Sequence, residues 1–168
     1  MANAAVGQLL YLLDRAFEDD EEHSLLANLR SVGPEDWPWR PPDGGRSIRQ
    51  ITYHAAVAKH VYANHLFGDK TLTFDGLMRT APTTRDEGEK DLAISWMRDG
   101  HQLLHEGLAS LTDDDLPREQ RTHWGEVYET RRIIAVITAH DIYHAGEINH
   151  IRALRQGDDR WPWQPEAS

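Results

Sequence analysis

The chain of 168 residues contains no cysteine. Disulfides, thiolate-held zinc and a cysteine nucleophile are therefore excluded, and a soft metal ion has only histidine, helped by carboxylates or water, to bind. Any thiol chemistry needs a thiol from outside the chain. No apolar run approaches the roughly 18 residues that span a bilayer. The start, Met1-Ala2-Asn3-Ala4, lacks the basic-then-apolar order of a secretory signal. Positive charge is scarce: 18 Lys and Arg stand against 28 Asp and Glu, a formal net charge of −10. That balance argues against nucleic acid, whose phosphates need a basic face, and against anionic membranes. The expectation is a cytoplasmic protein of one domain, residues 1–168, long enough to bury a core.

Strand-like alternation and internal repeats are also missing, and helical periodicity fills their place. Val6, Leu9, Leu10, Leu13 and Phe17 mark a first helix over about Ala4 to Phe17, followed by an acidic run from Glu18 to Glu22. Ser24 to Leu29 reads as a short helix or a continuation of the first. Val32 to Gly45, rich in Pro, Gly and Trp, reads as a long connection whose tryptophans pack on the helices.

Ser47-Ile48-Arg49-Gln50 looks like a capping box opening a second long helix that ends near Gly68. Its inward stripe is Ile48, Ile51, His54 or Ala55, Ala58, Val61 or Tyr62, and His65. Asp69 to Thr84 reads as irregular. A third helix is expected over about Arg85 to Leu111, with Leu92, Trp96, Leu103, Leu104, Leu108 and Leu111 inward. After Arg121 to Tyr128, an extended segment or turn, a fourth helix runs from near Glu129 to about Arg155 and stops at Gly157. The tail, Trp161 to Pro165, reads as irregular. Four long amphipathic segments with two long connections predict an all-α four-helix bundle with long crossover connections.

Ten histidines are present, and most read as surface or rim residues: His23, His60, His101, His105, His123 and His150. His140 and His144 differ. They continue an inward stripe, Ile133, Ile137, then Ile148, Ile151 and Leu154, where a packed helix would carry Leu or Ile. Four residues of helix leave them about 40° and about 6 Å apart, so their rings can converge on one ion. His101 and His105 share that spacing off the main stripe, which shows that spacing alone is weak evidence. His54, at the edge of the second helix's stripe, is the best third ligand. His65 lies about 16 Å further along the axis, so one metal cannot use both. Three histidines alone leave a metal coordinatively open, the mark of a catalytic site. Imidazole donors favour Zn, Ni, Fe or Co over hard cations. Glu147, three residues after His144, is placed to hydrogen-bond a water or to orient an imidazole, although a rim carboxylate is the plainer reading. Tyr143 flanks the same face.

Two stretches carry a family resemblance. Gly45-Arg46-Ser47-Ile48-Arg49-Gln50-Ile51-Thr52-Tyr53-His54 resembles the second-helix entry of the DinB-like (DinB/YfiT) superfamily. His140-Asp141-Ile142-Tyr143-His144-Ala145-Gly146-Glu147-Ile148 resembles its fourth-helix signature. Ser24 to Leu29 and Trp124-Gly125 fit as well. The resemblance implies a four-helix bundle whose metal ligands are His54, His140 and His144, with Glu147 where the family often has Gln. It implies a metal-dependent enzyme, and often a homodimer. The characterised activities include transfer of low-molecular-weight thiols such as bacillithiol, mycothiol or glutathione to electrophilic small molecules, and a thiol-dependent isomerisation. The rival expectations are a metal-dependent hydrolase and a non-catalytic metal-binding or stress-associated protein.

Overall fold

Ser47 accepts the backbone N–H of Gln50 at 3.2 Å, and Gln50 accepts that of Ser47 at 3.1 Å. This reciprocal cap satisfies donors that a helix start leaves unpaired. It opens α3 (Ile48–Phe67) in the computed structural model, which describes residues 3–42, 44–84, 88–158 and 160. The other helices are α1 (Ala4–Asp14), α2 (Leu25–Leu29), α4 (Phe74–Thr80), α5 (Glu89–Ala109) and α6 (Thr130–Gln156). A π turn, Arg15–Asp19, extends α1 and carries the fully buried Phe17 inward. Ser24 caps α2 through Ala27 N at 3.2 Å. Gly157, at φ 86°, stops α6 in the left-handed conformation that glycine adopts most readily.

The four long helices α1, α3, α5 and α6 form the expected all-α bundle, with α3 packed on α5 and α6 and α1 on those same two helices. One apolar cluster joins Phe17, Leu25, Ile48, Ile51, Met97, Ala145, Ile148 and Ile151. A second joins Val6, Leu13, Ala58, Tyr62, Leu104, Leu108, Ile134 and Ile137. Helices α3 and α6 therefore run antiparallel: residues early in α3 meet residues late in α6. Each fully buried Leu or Ile contributes about 1.5–3 kcal/mol. Between the clusters lies a polar layer with one residue from each long helix, Asp14, Lys59, His101 and Asp141, and Lys59 and Asp141 are wholly buried.

Trp37, buried in the long connection, donates to Glu89 at 3.1 Å, and Arg49 grips the same carboxylate through two bonds of 2.7 Å. That connection is thereby tied to the starts of α3 and α5, as its tryptophans led us to expect.

Several expectations need correction. The stretch Asp69 to Thr84 is not wholly irregular, because Thr73 accepts from Gly76 N at 3.2 Å and starts α4. Arg121 to Tyr128, expected as an extended segment or turn, holds both, in an antiparallel hairpin of β1 (Glu119–Arg121) against β2 (Val127–Glu129) with Gly125 at φ 95° in its turn. On α5, Ala93, Met97 and His101 are buried with Leu104 and Leu108, while Leu103 is 49% exposed. Leu154 also faces solvent. The expected helix start at Arg85, the residues Met1 and Ala2 and the tail Trp161 to Pro165 lie outside the described residues. Among the described residues no helix is long and apolar enough to cross a membrane.

Candidate metal centre

Antiparallel packing of α3 and α6 brings His54, on α3, to His140 and His144, on α6. His140 Nε2 lies 3.1 Å from His54 Nε2 and 3.1 Å from His144 Nε2. Among the described residues these three form a group in which each offers one ligand atom and all the atoms lie within 4.8 Å of one another. No fourth His, Asp or Glu of the described residues joins the group. His144 is buried, and His54 and His140 are half-buried.

Outside the triad, Glu147 Oε2 lies 2.8 Å from His144 Nδ1, and Arg46 Nη2 reaches Glu147 Oε2 at 2.8 Å and Oε1 at 3.0 Å. Both carboxylate oxygens are thus engaged. Next to an ionised carboxylate, His144 Nδ1 carries the proton, so in the neutral ring Nε2 presents a lone pair to the other histidines. His140 Nε2 then faces two nitrogens, and one proton serves only one of the two contacts. A cation would satisfy every lone pair at once. His140 Nδ1 is in addition buried without a hydrogen-bond partner. The donor set therefore fits a divalent ion of the imidazole-preferring kind.

Electrostatics prepare the same state. Burial, with His144 adding to it, pushes His54 down to about 4. Burial, with both neighbouring rings, pushes His140 down to about 3. Burial also lowers His144, against the opposing pull of Glu147. The rings are neutral at pH 7, as ligands must be.

The remaining histidines lie outside this group. His65 donates to Leu72 O and His60 to Trp96 O, each at 3.0 Å, which keeps both out of the triad. His23 and His150 are exposed, as expected. His101, expected at the rim, is instead 6% exposed and bonded to Lys59 and Asp14. Tyr143 is 65% exposed with its ring 5.0 Å from that of His144.

Three features went unread in the sequence. Phe74, the first residue of α4, lies 5.5 Å from the His54 ring and walls the site. Arg46 stands within the second-helix motif, and nothing in the sequence pairs it with Glu147, 101 positions away. The Lys59–Asp141 pair had one signal, a lone cation directly after the apolar run Ala55-Ala56-Val57-Ala58.

The fold has a counterpart among solved structures. A DinB-like protein of Bacillus subtilis, YjoA, whose crystal structure has been solved, superposes with a TM-score of 0.61 at 16% identity. The match covers 95% of this chain and 99% of that one, and identity so low speaks for the fold alone. No curated relative matches the sequence. The family model of the DinB superfamily matches residues 18–148, a span that holds the long helices α3, α5 and most of α6 with all three histidines, and so the chain belongs to the DinB superfamily.

Proposed function

We propose that the protein is a metal-dependent enzyme that binds one divalent transition ion through His54, His140 and His144. The observation that carries this reading is the meeting of three neutral imidazole nitrogens with no fourth protein ligand in their group among the described residues. A divalent ion held there supplies Lewis acidity at an open coordination position, which lowers the pKa of a bound thiol or water.

The favoured reaction is transfer of an external low-molecular-weight thiol to an electrophilic small molecule. The chain has no cysteine to act as nucleophile. Glu147 has both oxygens committed to Arg46 and His144, so it orients the His144 ring rather than taking a proton from a substrate. A nucleophile acidic enough to be activated without a protein base suits this site, and a thiol, at about 8.5, is far more acidic than water.

Elemental analysis of protein never exposed to chelator, followed by conjugation assays with several thiols and a generic electrophile, tests the proposal. One equivalent of metal and metal-dependent conjugation are expected. Metal-loaded protein that turns over no thiol would overturn the transferase reading. Hydrolysis of esters or amides without thiol would replace it with a hydrolase.

A further inference from the structure

We infer that the buried Lys59–Asp141 pair sets the register of α3 against α6 and so holds His54 where it meets His140 and His144. The two residues act by positioning: their side chains hydrogen-bond each other and His101, not the three ligands. This inference rests on the metal-site reading above.

The pair lies beside the triad. Asp141 follows His140 directly, and Lys59 is five residues beyond His54, about 7.5 Å along the axis. Lys59 Nζ is 2.5 Å from Asp141 Oδ2, and both side chains are 0% exposed. On either side, α3 meets α6 through apolar residues: Ile48 and Ile51 share a cluster with Ile148 and Ile151, and Tyr62 and Leu66 share one with Ile133 and Ile137. Apolar contacts are non-directional and tolerate a slide. A slide of one turn, about 5.4 Å, would still bury isoleucine on isoleucine, but it would carry His54 away from the other two rings. It would also strand a cation and a carboxylate in the core, and that is what forbids it.

The pair is a poor device for stability alone. Asp141 Oδ1 is buried with no hydrogen-bond partner, a standing cost. Buried ion pairs are often replaced by apolar residues without loss of stability, and their best-attested use is to fix registry. Lys59 is held from other sides too. Its Nζ donates to His101 Nδ1 at 3.2 Å and sits 4.2 Å from the Phe17 ring centroid. His101 passes the connection to Asp14 at 2.9 Å, so all four long helices are indexed on one layer.

The test is the double variant Lys59→Met with Asp141→Leu, compared with the parent and with His140→Ala. Zinc affinity is read by chelator competition, the Co²⁺ absorption spectrum reports ligand geometry, and melting is followed without metal. A variant that melts no lower than the parent but binds zinc at least tenfold more weakly, with an altered Co²⁺ spectrum, is expected. Zinc binding reduced less than tenfold in the folded variant would overturn the inference and leave the metal site standing. A parent that binds no zinc would overturn both. If the double variant does not fold, solvent exchange of the Lys59 ammonium in the parent decides. Zinc is expected to slow it at least tenfold more than it slows the backbone amide of Leu104, and equal slowing overturns the inference.

Discussion

Glu147 reaches back one turn of α6 to His144, its Oε2 2.8 Å from Nδ1, while Arg46 from the chain entering α3 holds the same oxygen at 2.8 Å. A single carboxylate thus fixes both the proton position on an imidazole and the approach of a segment about a hundred residues away in sequence.

Glu147→Gln is expected to weaken zinc binding about 10- to 100-fold, the usual cost of losing a carboxylate behind a ligating histidine. Arg46→Ala should shift affinity in the same direction by less, because Glu147 keeps its bond to His144. Chelator competition measures both. Parent-like affinity in Glu147→Gln would mean that the carboxylate plays no part in orienting the ring.

Removal of metal should lower the melting temperature. Zinc at about a thousand times its dissociation constant adds about 4 kcal/mol to stability, or ~8–16 °C for a chain of this size. Scanning calorimetry with and without chelator reads the shift, and His54→Ala should abolish it. A parent whose melting ignores chelator would contradict the metal centre.

The metal-free protein should lose stability in mild acid. Burial, helped by neighbouring positive groups, holds His140 and His101 down to about 3, against about 6.5 in an unfolded chain. Below pH 6.5 the unfolded chain takes up protons that the folded one refuses. Their contribution is therefore complete above about 6.5 and is lost as pH falls from there towards 3, at about 1 kcal/mol per pH unit for each. Urea titrations at pH 7.5, 6 and 5 check this, and an unchanged midpoint across them would refute it.

Gly100 marks the close approach of α5 to α3. A Cβ there would stand 2.9 Å from Lys59 Cβ and 3.2 Å from His60 N, so Gly100→Ala should destabilise by about 1–3 kcal/mol. Gly7, within α1, has open space around it, and Gly7→Ala should instead gain up to about 1 kcal/mol in helix propensity. Opposite shifts in the urea midpoint are the expected pair of results.

The long helices and the pairing of His140 with His144 were legible because both rest on local spacing: a 3.6-residue apolar period, a capping box at Ser47 and two histidines one turn apart. The hairpin was not, since strands of three residues are too short to show alternation. Helix α4 hid for a similar reason, being seven residues long with Gly76 inside it and Pro82 just beyond. The inward face of α5 was misaligned because its leucines suggested a stripe through Leu103, while the structure buries Met97 and His101. His101 looks like a surface residue in any local window, and Lys59 stands out only as a lone cation after an apolar run. What makes their burial tolerable, Asp14 and Asp141, comes from other helices.

The two halves of the triad are separated by 86 positions, with His54 early and its partners on α6. A chain still emerging from the ribosome therefore owns only one of the three rings while the next 86 residues are made. Under the proposed function, capture of an ion by all three rings has to wait until α6 has been made and has docked, which would make metallation a late check that the first and last long helices of the centre have found each other.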